Sequence, residues 1–270
     1  MSARNTALLE WYGRNRRSLP WRNTNDPWQI LVSEVMLQQT QVQRVTEAYR
    51  RFIDRFPDVV SASHSTAQEM LAMWSDLGYN RRALRLREVA GIVESDGWPT
   101  TSATLQSLPG IGPYTAAAVA CFAFGEQVPT IDTNLRRVLS RWVGRALKGK
   151  DLAHVAGEAL PIGAAVDWNQ AVMDLGSTLC RPREPDCDTC PVTSWCAGPH
   201  VYTAPRSQGR FDGSVRQARG AILRSLVHLG QADQSHLSES VSAARFEEAL
   251  EGLIRDGIVA KDGDTIMLVA

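Results

Sequence analysis

The sequence predicts an all-α protein that ends in a small winged-helix-like unit. Three observations carry this expectation. Apolar residues recur at helical spacing before residue 200, and few stretches there alternate in the two-residue rhythm of strands. Pro57, Gly78, Gly97-Trp98-Pro99, Pro109-Gly110 and Pro161 punctuate the pattern as helix breaks. Near the C-terminus, "IVAKDGDTIMLV" places two short β-rich runs around an Asp-Gly pair, a hairpin signal.

Taken in order, the pattern predicts helices over 4–16, 28–39, 42–55, 67–75, 80–95, 101–107, 113–124, 133–142, 151–159 and 168–177. A linker follows over 201–213, then helices over 216–229, 233–240 and 243–256. Apolar and charged contents of 44% and 21% are ordinary for a soluble globular chain. No apolar run reaches membrane-spanning length, and "MSARNTALLEWYGRNRR" lacks the apolar core of a secretion signal, so a cytoplasmic protein is expected. The formal net charge is zero, but residues 211–270 hold 6 basic against 9 acidic side chains. That acidic excess disfavours phosphate contact by the C-terminal unit and favours packing or partner contact. Of the 29 basic residues 26 are arginine, which suits phosphate and equally fits a GC-rich coding bias.

Four local features carry chemistry. In "ILVSEVMLQQTQ", Glu34 shares a helix face with Ile30, Leu31 and Leu37, where a carboxylate is costly unless it has a salt-bridge partner or a catalytic task. In "LPGIGPYT", Gly110 and Gly112 permit a tight turn with positive φ into an alanine-rich helix, whose bare amides suit a phosphate or merely connect two helices. Asp132, in "VPTIDTNLRRVL", sits where it caps a helix, and such a position keeps a carboxylate ionised. One ionised and one protonated carboxyl group form the pair that breaks glycosidic bonds. Finally, Cys180, Cys187, Cys190 and Cys196 have the spacing C-x6-C-x2-C-x5-C. Four thiolates in one loop suit a cubane iron–sulfur cluster, with structural zinc as the alternative. Cys121 in "AAAVACFAF" reads as a core thiol, and Arg181 and Arg183 flank the cysteine loop as phosphate contacts or solvated charges.

Together, "LPGIG", "IDTN" and the four-cysteine loop resemble the endonuclease III superfamily of base-excision DNA glycosylases. "LPWR", "SEVMLQQTQV" and "MDLGSTLC" make residues 8 to 200 similar to its MutY-type adenine glycosylases. The resemblance implies a two-lobed helix-hairpin-helix fold with a [4Fe-4S] cluster on the four cysteines. It implies a six-helix domain over 24–135, a cluster domain from 1–23 and 136–200, and a C-terminal unit over 214–270. The implied partner is double-stranded DNA holding a mispair, bound by a monomer that associates with the nucleoid and not with membranes.

Carried onto this chain, the resemblance makes Glu34 the general acid and Asp132 the carboxylate that stabilises the cationic sugar. Tyr114 and Asn134 orient these groups and water. Trp21, Arg22 and Asp174 line the pocket of the extruded base. Gln38, Gln39, Asn80, Leu108, Gly110 and Gly112 meet the duplex. Tyr114 occupies the place of the nucleophilic lysine of the lyase relatives, which implies a monofunctional glycosylase removing adenine opposite guanine or 8-oxoguanine. A thymine or uracil mismatch glycosylase, and a catalytically silent iron–sulfur DNA-binding protein, are the alternatives. Two departures stand out: "DLGYN" has Asn80 where the family has an intercalating tyrosine, and the last sixty residues are too short for a Nudix-like domain that reads 8-oxoguanine.

Overall fold

The structure, a computed structural model, describes residues 1–74, 77–201, 210–239 and 243–269. Most of the expected linker, residues 202–209, and the expected helix ends at 75 and 240 lie outside the described residues. The body is helical: α1 Ala3–Asn15, α2 Pro27–Leu37, α3 Val42–Arg55, α4 Val59–Ser63, α5 Ala67–Trp74, α6 Arg81–Asp96, α7 Ser102–Leu105, α8 Pro113–Phe124, α9 Thr133–Val143, α10 Gly149–Ala159 and α11 Ala165–Thr178. Then follow α12 Val215–Leu229, β1 Gln231–Asp233, α13 Gln234–Ser238, α14 Ala243–Arg255, β2 Val259–Asp262 and β3 Thr265–Leu268.

The short α4 escapes the periodicity because one turn and a half carries too few apolar residues to show a period. Its start is nonetheless written locally, since Asp58 and Ser61 form a reciprocal capping box. β1 escapes for a similar reason: three residues, Gln-Ala-Asp, have no strand character of their own, and pairing with β3 makes them one.

The chain falls into two compact units. The first comprises Met1–Leu31, Pro99–Ser107 and Ile111–Arg206. Its core gathers Leu8 and Tyr12 of α1, Leu135, Val138 and Trp142 of α9, Leu152 of α10, and Trp168, Val172 and Leu175 of α11. The second comprises Val32–Trp98, Leu108–Gly110 and Ser207–Ala270. Phe52 packs edge-on against both Phe56 and Trp74, with ring centroids 5.1 and 5.8 Å apart. Each fully buried aromatic here contributes roughly 1.5–3 kcal/mol.

The C-terminal segment has the helix–strand–helix–helix–hairpin order of a winged helix, with antiparallel strands in the order β1-β3-β2. Asp262 pairs with Thr265, so Gly263 and Asp264 form a two-residue turn, and Gly263 supplies its left-handed corner at φ +57°. Ile222, Leu226, Phe246, Leu253 and Ile266 are buried within this segment. α12 is tied to α5 by the Gln68 amide, which donates to the Val227 carbonyl at 2.7 Å. No helix among the described residues is long and apolar enough to cross a membrane.

Candidate active site

α2 is apolar nearly all round, and Ile30, Leu31, Val32, Val35 and Met36 are all buried. A helix of that kind lies inside the protein. It therefore carries its one carboxylate inside with it: Glu34 is 5% exposed.

The helix stops at Leu37, two residues earlier than its pattern predicts, because Gln39 turns into the left-handed region at φ +57°. Such a conformation costs a non-glycine residue on the order of 1–3 kcal/mol. Arg82, at the start of α6, offsets it. Its guanidinium donates to the carbonyls of Val35 at 2.6 Å, Gln38 at 2.7 Å and Gly78 at 3.1 Å. These oxygens include ones that a helix C-terminus leaves unsatisfied. Arg82 also lies 5.4 Å from the Trp74 ring centroid and 5.3 Å from that of Tyr79. Burial lowers its pKa to about 10. One side chain thus fixes two tips, Gln38–Thr40 and Gly78–Asn80.

Those tips differ from each other in what they present. Gln39 is exposed and Gln38 half-buried. Tyr79, also left-handed at φ +50°, keeps 46% of its surface exposed. Asn80 is half-buried, and its Oδ1 is buried with no hydrogen-bond partner among the described residues. The exposed aromatic ring at this tip belongs to Tyr79.

Asp132 caps α9, accepting from the Leu135 amide at 2.6 Å and from Asn134 Nδ2 at 2.7 Å. Burial nevertheless pushes its carboxyl above the ordinary value, against the hydrogen bonds from Leu135 and Asn134. The cap does not keep the carboxylate as readily ionised as its position in the sequence suggests, because protein surrounds it on most sides. Behind it runs a relay. Asn134 Oδ1 accepts from Arg137 at 2.7 Å, and Arg137 donates onward to the Gly176 carbonyl at 2.6 Å and the Cys180 carbonyl at 2.8 Å. A Cβ at Gly176 would stand 2.7 Å from that of Asn134, so glycine is what lets α11 approach α9 here. On the other side, the Asn169 amide binds the Thr130 N–H and the Val128 carbonyl, and so holds the segment leading into Asp132.

In the hairpin, Gly110 has φ +77° and a Cβ on it would meet Arg85 Cγ at 3.3 Å. Gly112 differs from expectation: it is extended, at φ −85°, and caps α8 without a side chain. No heavy atom would lie within 4 Å of a Cβ there, so glycine leaves open space over the first turn of α8. Leu108 is buried, and Tyr114 is half-buried in that first turn.

Arg22 and Asp174 come together as a bidentate pair, at 2.6 and 2.8 Å, and Arg17 adds a second ion pair at 2.5 Å and a main-chain N–H at 3.0 Å. Asp174 has no exposed surface. Burial pushes its carboxyl up, but Arg22 and Arg17 outweigh that and hold it below the usual range. Trp21 is buried in the adjoining single turn Pro20–Arg22.

Cys180, Cys187, Cys190 and Cys196 form no disulfide and line one cavity with Arg141, Leu175 and Leu179. Arg141 is buried and its guanidinium lies 3.2 Å from Cys180 Sγ, while the same group donates to the Arg181 carbonyl at 2.8 Å. Burial pushes the Cys190 thiol up to about 11 and raises those of Cys187 and Cys196. Cys121 is fully buried, as a core thiol should be. Arg181 and Arg183 are exposed, and Arg181 donates to the Glu184 carbonyl at 3.0 Å.

Sequence reasoning missed Arg17, Arg82, Arg137 and Arg141. The arginine-rich composition is their trace: these side chains satisfy carbonyls and a carboxylate distant in sequence, a use distinct from both phosphate binding and coding bias.

Residues 32–156 match the model of the HhH-GPD superfamily of base excision DNA repair proteins. The chain is 41% identical to the adenine DNA glycosylase of Mycolicibacterium smegmatis, over 98% of its own length and 95% of that protein's. Identity to the adenine DNA glycosylase of Mycobacterium tuberculosis is 39%, covering 96% of this chain and 91% of the other. Among solved structures, a thermostable thymine-DNA glycosylase matches with a TM-score of 0.68 and 31% identity, covering 72% of this chain and 94% of that one. A trapped endonuclease III–DNA intermediate matches at 0.63 and 18% identity, over 73% and 96%, a likeness of fold alone. A relative so similar over nearly the whole of both chains settles the kinship: this protein belongs to the adenine DNA glycosylase family, within the HhH-GPD superfamily of base excision DNA repair proteins.

Proposed function

We propose that the chain hydrolyses the N-glycosidic bond of adenine in double-stranded DNA, opposite guanine or 8-oxoguanine, as a monomer and without a lyase step. The observation that carries this reading is the retention of both carboxylates, one inside an apolar helix and one on a helix cap, with tyrosine at position 114. Glu34, stripped of water by α2, donates a proton to adenine N7 so that a neutral base departs. Asp132, in its ionised form, faces the oxocarbenium-like sugar left behind and stabilises it. Asn134 orients Asp132, and Arg137 orients Asn134. A tyrosine hydroxyl at 114 forms no Schiff base, so the reaction ends at the abasic site.

The target base must leave the stack before either carboxylate acts on it. Trp21 with the Arg22–Asp174 pair forms the rigid wall of the pocket that receives it. The Gln38–Gln39 tip and Asn80 meet the gap, and Tyr79 supplies the aromatic face that position 80 lacks. Leu108, Gly110 and Gly112, with the open first turn of α8, hold a phosphate.

The four cysteines have the chemistry of a [4Fe-4S] site. Four sulfurs from one loop, lining one cavity, suit a body of several irons. Arg141 beside Cys180 offsets the negative charge of ligating thiolates. Bound there, the cluster would tie down residues 180–196, and through the Cys180 carbonyl and Arg137 it would stiffen the Asp132 cap.

The test is base release from duplexes holding A:G, A:8-oxoG, T:G or U:G, followed by alkaline cleavage of abasic sites. Adenine is released from the first two, and Glu34→Gln abolishes it while DNA binding persists. Full activity in that variant, or release of thymine or uracil alone, overturns the reading.

A further inference from the structure

In the second unit, a groove of about 930 Å³ is lined by the Gln38–Gln41 tip with Arg44, the 77–82 turn, and the C-terminal segment through α12, Phe211 and Asp256. Six arginines line it, Arg44, Arg81, Arg82, Arg216, Arg219 and Arg224, against one carboxylate, Asp256. That carboxylate is already taken by Arg219, at 2.5 Å. Arg44, Arg81 and Arg224 are exposed and form no ion pair among the described residues. Gathering like charges is unfavourable unless an anion spans them. On α12, positions 216, 220 and 224 fall on one stripe at a spacing of four, while Ala218, Ile222 and Leu226 are buried on another face. Gly220 lies between the two arginines of the stripe, and the Arg224 guanidinium folds over it, 3.4 Å from where a Cβ would stand.

From this convergence we infer that the groove binds the sugar–phosphate backbone of the DNA beside the Gln38–Gln41 tip, and that α12 makes the C-terminal segment part of the DNA-binding surface. The net acidity of residues 211–270 points the other way only while charge is summed. Folding segregates it: α12 turns its arginines to the groove, and Glu247, Glu248 and Glu251 lie on α14 outside its lining. A planar guanidinium fork suits phosphate oxygens, and Phe211, 55% exposed at the same groove, offers an apolar face to a sugar or base.

The inference rests on the proposed action on DNA, and its test is kept separate from catalysis. Binding is measured by fluorescence anisotropy on an uncleavable A:G duplex, 2′-fluorinated at the target, across a salt series. Affinity scales as salt to the power of about −0.9 per phosphate contact, so each lost contact costs about fivefold at ~0.15 M salt. Arg216→Ala/Arg224→Ala therefore weakens binding roughly 30-fold and flattens the log–log salt slope by about 2. Arg44→Ala/Arg81→Ala, on the facing wall, does the same, and serves if the α12 variant melts early. Arg245→Ala, on α14 and outside the groove, changes neither quantity. Salt slopes equal to wild type in both folded double variants overturn the inference, and assign the groove to packing or to a protein partner. If the wild-type chain binds the duplex but releases no adenine, the proposed activity fails while the groove stands.

Discussion

Arg82 is the residue whose loss should be felt furthest. Arg82→Ala removes three hydrogen bonds of 3.1 Å or less to carbonyl oxygens of the α2 C-terminus and the 78 turn. Hydrogen bonds from a charged donor contribute roughly 1.5–3 kcal/mol each, which would give about 4.5–9 kcal/mol if they added. They do not add, because one guanidinium serves all three. The burial that lowers its pKa to about 10 is also a cost the native state already carries. About 3 kcal/mol is a reasonable remainder, at the low end of what breaking a buried charged contact costs. For a chain of this size each kcal/mol moves Tm by about 2–4 °C, so the variant should melt about 6–12 °C lower. Thermal unfolding followed by circular dichroism measures it. Arg82→Lys should recover only part of the loss, since an ammonium lacks the fork that reaches both tips. DNA binding should weaken as well, because Gln39 and Tyr79 lose the contact that holds their left-handed backbone. A melting point within ~2 °C of wild type in Arg82→Ala would refute the reasoning and leave the tips self-supporting.

Asp132→Asn should lose adenine release yet melt higher than wild type at neutral pH. Burial raises the folded-state pKa, so the ionised side chain costs stability above that pKa, and the gain should shrink as pH falls through it; a lower melting point for the variant would sink this. Asp174→Asn strips the counter-charge from Arg17 and Arg22 and should cost about 3–5 kcal/mol. Because the folded-state pKa of Asp174 is depressed, its contribution is present above the ordinary carboxylate range and lost as pH falls toward the depressed value; acid melting curves of wild type and variant should converge, and parallel curves would contradict the assignment. Protein purified without oxygen should be brown, with a broad band near ~400 nm that Cys190→Ser removes; a colourless protein with stoichiometric zinc would exclude the cluster.

Much of this protein was legible in its residues alone. Helical period and Gly/Pro breaks marked α2, α3, α6, α8, α9 and α11 within two or three residues, since each buries a stripe long enough to show its period. Glu34 stood out because a charge in an apolar helix needs either a partner or a task, and the four cysteines because thiol spacing is chemistry written in one dimension. What tertiary structure decided is where pairing is distant or charge is sorted. Arg82 gathers carbonyls more than forty residues away, and Arg137 and Arg141 gather those of the cysteine loop; no local pattern announces an arginine that caps backbone. Asp132 looked ionised from its cap, and only the protein packed around it shows burial working against that. Residues 211–270 summed to an acidic segment, yet the fold turns three arginines of α12 toward the groove beside Gln39, because a helix sorts by face what composition can only add.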